Sequence, residues 1–236
     1  MAVDIVPEML ARIRQQVDAR LEKDKTIKHL KKLFEEGKGT YKEANEFAIR
    51  VGEILADAYR MNVSEAELPN GRMWYNIADR VLTPTLQKNY QLIAEACEQA
   101  QKNINQEIRV GLRVIKPAEN KSRIQNLVQK ISDYEAFSEA EWMLQEPVIN
   151  IAQSVVDDAI KANMEFQGSS GIQATIHRTV VGGCCEWCAK IAGKYTYPKM
   201  PKEVFQRHEY CRCMIEYTPS RTGRTERLRG TGKSWK

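Results

Sequence analysis

Five of the six cysteines in this chain, and one of its three histidines, fall between Cys184 and Cys213. The stretch reads Gly183-Cys184-Cys185-Glu186-Trp187-Cys188 and, after a gap of nineteen residues, His208-Glu209-Tyr210-Cys211-Arg212-Cys213. Soft thiolates and an imidazole, in two clusters joined by a loop, are the donors a tetrahedral Zn²⁺ site requires. Cys185 and Cys188 have the spacing in which two thiolates of one turn face a common metal. His208 and Cys211 repeat that spacing, and Cys213 adds a thiolate two residues later. Four ligands are needed and six candidates are present. Cys185, Cys188, His208 and Cys211 are the first choice and Cys213 the leading substitute, while Cys184 can also pair with Cys188. With four protein ligands no position stays open for water or substrate, so the expected Zn²⁺ is structural. It would replace a core that so small a module cannot build. The competing readings are a disulfide knot and a set of buried, reduced thiols. Trp187, Tyr195, Tyr197, Phe205, Tyr210 and Tyr217 crowd the same region and are expected to pack around the metal and shield its thiolates.

The elements that position these residues are mostly helical. Val6, Met9, Leu10, Ile13, Val17 and Leu21 recur every three or four residues, the period of a helix with one apolar face. Ile27, Leu30, Leu33 and Phe34 predict a second helix, ending at Gly37 and Gly39. Thr40 and Glu43 form a capping-box pattern ahead of the stripe Ala44, Phe47, Val51, Ile54, Leu55 and Ala58. Pro69-Asn70-Gly71 marks a turn. Thr83-Pro84 reads as an N-cap followed by proline in the first turn, opening the stripe Leu86, Tyr90, Ile93, Cys97, Ala100, Ile104 and Ile108. Cys97 belongs to that stripe and is read as core. Lys116-Pro117 breaks the pattern. Ile124, Leu127, Val128 and Ile131 form a short stripe, Ser138 to Glu141 resembles another capping box, and Pro147 opens a helix carrying Val148, Ile151, Ala152, Val155, Ala159 and Ile160. Gly168-Ser169-Ser170-Gly171 reads as a linker or tight loop. Beyond it the period changes to two: Ile172, Ala174, Ile176 and Val180 alternate with Gln173, Thr175, His177 and Thr179, as in a strand. Met214 to Tyr217 gives a second strand-like run, so two short strands frame the cysteines.

The expected fold class is therefore mainly α. A long helical N-terminal body (1–167) precedes a small α+β zinc-stapled module (172–217) and a basic flexible tail (218–236). The charge balance agrees with that division. The net charge of +5 at pH 7 arises at the C-terminus, because residues 1–180 hold 24 Lys and Arg against 26 Asp and Glu. The tail carries Arg221, Arg224, Arg227, Arg229, Lys233 and Lys236, opposed only by Glu226. Such a segment binds phosphate backbones without sequence choice, by neutralising charge and releasing counterions. Gly232-Lys233-Ser234 is not a phosphate loop, since no glycine stands where that motif begins and no strand and helix flank it. The N-terminus has no secretory pattern and no apolar run is long enough to span a membrane, so a reducing compartment, favouring metal over disulfides, is expected. No catalytic set stands out. His29 lies on a lysine-rich helix and is expected in solvent, whereas His177, on the strand entering the module, is a candidate to support the ligands from behind.

The module resembles that of the MuF-like minor head (head-morphogenesis) proteins of tailed bacteriophages. The matching residues are Cys185 and Cys188, Ala192-Gly193-Lys194, and the closing His208-Glu209-Tyr210-Cys211-Arg212-Cys213. The likeness covers about a fifth of the chain, and Glu209 stands where that family often has proline. It implies a low-copy, non-enzymatic virion component at the portal or inner capsid. Its partners would be the portal or major capsid protein, with packaged DNA touched through the tail. Two other classes fit the residues: a metal-dependent treble-clef nuclease using His208 or His177 as base beside Glu209 or Glu186, and a zinc nucleic-acid-binding protein.

Overall fold

A computed structural model of the chain describes residues 4–182, 185–208 and 210–220. Eight α-helices and three strands follow one another: α1 (Val6–Lys23), α2 (Lys25–Glu35), α3 (Tyr41–Asn62), α4 (Tyr75–Glu107), α5 (Lys121–Ser132), α6 (Phe137–Ala140), α7 (Glu146–Ser169), β1 (Gln173–Thr179), α8 (Glu186–Ile191), β2 (Gly193–Thr196) and β3 (Met214–Ser220). The mainly-α reading holds, with a small α+β region at the C-terminal end. No helix among the described residues is long and apolar enough to cross a membrane.

α3 is the centre of the bundle. It touches α1, α2, α4, α7 and β3, and its stripe from Ala44 to Ala58 is buried. The capping box at its start is present, with Thr40 N donating to Glu43 Oε2 at 2.8 Å and Lys42 N to Thr40 Oγ1 at 3.3 Å. Where α3 crosses α7, Gly52 permits the approach: a Cβ there would lie 2.9 Å from Ile149 Cα and 3.1 Å from Ala152 Cβ.

Three local expectations change. Thr83 is not an N-cap, because α4 begins at Tyr75 and runs through Pro84. The proline costs one backbone hydrogen bond, but Ile77, Ala78, Val81, Leu82 and Leu86 keep one buried face continuous across it. Thr83 Oγ1 instead donates to Asp79 Oδ1 (2.7 Å), and Thr85 Oγ1 to the Val81 carbonyl (2.7 Å). Ser138 does not cap either: α6 starts after Ala136, and the Ser138 amide is held by Glu65 Oε2 at 2.7 Å. Of the two readings of the stretch from Gly168 to Gly171, the tight loop holds and the linker does not. α7 continues to Ser169, and the turn closes with Ile172 N donating to the Gln167 carbonyl (3.0 Å) around Gly171 at φ +84°.

The sheet has the order β2-β1-β3, antiparallel throughout, with Ile176 opposite both Tyr195 and Tyr217. β2 was not read from the sequence. β3 runs on through Pro219 and Ser220, which the sequence reading placed in the tail. Ala174, Ile176, Ile215 and Tyr217 are buried in the same core as the helices. A buried polar chain crosses that junction. Tyr217 Oη donates to Gln167 Oε1 (2.6 Å), Gln167 Nε2 to Asn105 Oδ1 (2.6 Å), Gln101 Nε2 to the same oxygen (2.8 Å) and Tyr41 Oη to Gln101 Oε1 (2.9 Å). Each member is satisfied, so the chain fixes how β3, α7, α4 and α3 sit together.

Candidate metal centre

The site is built from two segments laid side by side: the start of α8, and the irregular run from Gln206 to Cys213 that leads into β3. Cys185 is the N-cap of α8, its sulfur accepting the Cys188 amide at 3.5 Å. That bond turns both sulfurs to one side, as the spacing predicted. In the second segment Cys211 and Cys213, two residues apart, bring their sulfurs to the same side, against Cys188. Arg212 between them turns outward to Glu146 on α7 (2.9 Å).

Five of the predicted ligands meet. Cys185, Cys188 and His208 form one mutually close group, and Cys188, Cys211 and Cys213 form another. Cys188 Sγ is the shared corner. It lies 2.9 Å from His208 Nε2, 3.3 Å from Cys213 Sγ and 3.9 Å from Cys211 Sγ, and Cys185 Sγ lies 3.2 Å from His208 Nε2. Ligands around a tetrahedral metal with bonds of about 2.0–2.3 Å sit roughly 3.3–3.8 Å apart, so the cluster needs only small shifts to hold one ion. The sulfur separations exceed a disulfide bond of about 2.05 Å, and the described cysteines are unbridged. Cys184 lies outside the described residues.

Electrostatics separates the thiols. Burial, with the neighbouring Cys213 and Cys211, pushes the Cys188 thiol far above its ordinary range. Cys185, exposed, is held below it by the Cys188 amide. Burial also acts to raise Cys211, but the Cys213 amide and the guanidinium groups of Arg207 and Arg178 outweigh it and bring Cys211 down. A cation placed among these sulfurs would supply the positive charge that Cys188 lacks, which is how metals fix thiolates. The donor set therefore fits a metal ion.

A polar stripe on α7 supports the loop from beneath. Glu146, Asn150, Gln153 and Asp157 recur at intervals of four, three and four residues, hence on one helix face. Asn150 Nδ2 donates to the His208 carbonyl (3.1 Å). Gln153, its amide turned so that the nitrogen faces the loop, donates to the Cys211 carbonyl (2.9 Å). Asp157 accepts two hydrogen bonds from Arg207, at 2.5 and 2.8 Å, while Arg207 Nη1 donates to the Cys213 carbonyl at 2.8 Å. This polar stripe shares the period of the helix's apolar stripe, and nothing in its residue types distinguishes it from a solvated face.

Of the aromatic residues expected around the metal, Trp187 is there. It packs on the buried cysteines and meets His208 edge-on, with ring centroids 5.7 Å apart. Tyr195, Tyr197, Phe205 and Tyr217 join the helical core instead, and Tyr210 is exposed. The period-two twist of β1 decides His177: it points away from the buried Arg178 and faces Glu216 at 3.9 Å. It therefore does not support the ligands. His29 is exposed and Cys97 is buried in α4, as expected. The basic residues Arg221, Arg224, Arg227, Arg229, Lys233 and Lys236 lie outside the described residues.

No family model, curated protein or solved structure matches this chain.

Proposed function

We propose that the chain is a structural component of a bacteriophage head, a minor capsid or head-morphogenesis protein whose Cys/His module is closed by one Zn²⁺. The observation that carries the structural role is burial: Cys188, Cys211 and Cys213 are at most 3% exposed. A catalytic zinc keeps a coordination position open to water or substrate, whereas here three thiolates face inward and Trp187 packs against them. A thiolate-rich donor set also favours Zn²⁺ over hard cations. The phage assignment rests on the motif that closes in His208-x-x-Cys211-Arg212-Cys213. On this reading the chain has no catalytic activity, resides in the virion near the portal or inner capsid, docks there through its helices, and reaches packaged DNA through the basic segment beyond Ser220. Of the two candidate bases of the nuclease alternative, His208 lies in the cluster, while His177 faces Glu216.

The test has two arms. Protein purified without chelator should carry one zinc per chain by elemental analysis, and Cys188→Ser should abolish it. Mass spectrometry of purified particles should then find the chain at low copy number. Zero zinc in folded protein removes the metal reading, and absence from purified particles removes the head-protein reading.

A further inference from the structure

Arg178 is the largest of the fully buried side chains, 1% exposed, and it stands at the end of the inward face of β1, after Ala174 and Ile176. No carboxylate among the described residues pairs with it. Its Nη1 donates to the Val204 carbonyl at 2.5 Å, its Nη2 approaches Cys211 Sγ at 3.7 Å, and its guanidinium carbon lies 5.6 Å from the centre of the Trp187 ring. Its Nε has no partner at all. A buried, unpaired guanidinium is costly by several kcal/mol, so an anion must stand beside it. The neighbouring cation, Arg207, is already matched by Asp157. Among the described residues, the anion nearest to hand for Arg178 is the sulfur cluster, through Cys211.

We infer that Arg178 is the counter-charge of the metal centre, and that this charge selects a ligand set of three thiolates and one imidazole. The inference rests on the metal reading above. A divalent ion with three thiolates carries −1, which one guanidinium cancels. Four thiolates would leave a buried charge of −1 uncancelled, and two thiolates would leave Arg178 itself without an anion. His208, whose Nε2 touches Cys188 Sγ, is the imidazole. Arg178 is a positioning residue: it touches a ligand and donates to its sulfur without binding the metal.

Two measurements test this. In the full chain loaded with Co²⁺, the sulfur-to-metal charge-transfer band, calibrated on peptides of known ligand sets, should have the intensity of three thiolates. An intensity of two or of four overturns the charge argument, and needs no variant. Zinc release to a chelator should then be compared among wild type, Arg178→Lys and Arg178→Met. Loss of a group supporting a metal ligand costs about 10–100-fold in affinity. Release from Arg178→Met should therefore be at least about tenfold faster, with Arg178→Lys, which keeps the charge, recovering most of the difference. Equal release from Met and wild type, or equally fast release from Met and Lys, would reduce Arg178 to packing. Wild-type protein that binds no metal would remove the metal reading itself; bound metal with indifferent Arg178 variants would sink this inference alone.

Discussion

Asp157 shows how much of the site depends on a residue that is not a candidate ligand. Its side chain is 2% exposed and that of Arg207 is 5% exposed. Burial works against the charged guanidinium, and Asp157 more than offsets it, holding Arg207 above its ordinary pKa. Removing one member of such a pair strands the other charge in the interior and costs about 3–5 kcal/mol. Asp157→Ala should accordingly lower the unfolding free energy obtained from urea denaturation by that amount, and Asp157→Asn, which keeps an acceptor for Arg207, by less. An Asp157→Ala protein as stable as wild type would mean that the sulfur cluster neutralises Arg207 by itself. The Cys/His cluster was legible in the sequence because Cys and His at knuckle spacing have few other uses. Their supports were not. Asp157, Gln153 and Asn150 are ordinary polar residues on a helix, and Arg178 occupies the inward phase of a strand where an apolar residue is the default. A charge in that phase, between Ile176 and Val180, was the available hint.

At the scale of elements, patterns that extend over several turns survived and single-residue punctuation did not. The stripes of α3 and α5 are buried as their spacing required, and those of α1 and α7 are too except for the half-buried Leu10, Leu21 and Ile151. Thr83-Pro84 failed as a helix start because a continuous apolar face outweighs one missing hydrogen bond, and the stretch after Gly168 is a tight loop rather than a linker because Gly168 is packed: a Cβ there would collide with the Tyr197 ring. Gly52 is the same lesson between two helices. In an isolated helix Gly→Ala stabilises by about 0.5–1 kcal/mol. In α3 the added methyl would press on the backbone of α7 at Ile149, and overpacking costs about 1–3 kcal/mol. Gly52→Ala should therefore destabilise the protein, lowering its Tm, with the helical circular dichroism of the folded state unchanged. A raised Tm would mean that α3 and α7 separate freely and that their crossing is not set by this contact.

The whole molecule raises a question that the division into body and module leaves open: whether the proposed metal would stabilise the module alone or the entire fold. Three features join the two parts. β1 and β3 bury Ala174, Ile176, Ile215 and Tyr217 in the helical core. The polar chain from Tyr217 through Gln167 and Asn105 to Tyr41 ties β3 to three helices. The stripe from Glu146 to Asp157 ties the ligand loop to α7, which packs on α3. A metal that binds only the folded chain adds its binding free energy to whatever unfolds cooperatively with its site. If the site and bundle share one core, stripping the metal should shift a single calorimetric transition to lower temperature, and the loss of helical signal should shift with it. Two transitions, the upper one helical and indifferent to chelator, would instead mean that the bundle stands without its metal-bound end. The shared core predicts the first result. On that reading Cys188→Ser should weaken the helical bundle as much as it weakens the sheet.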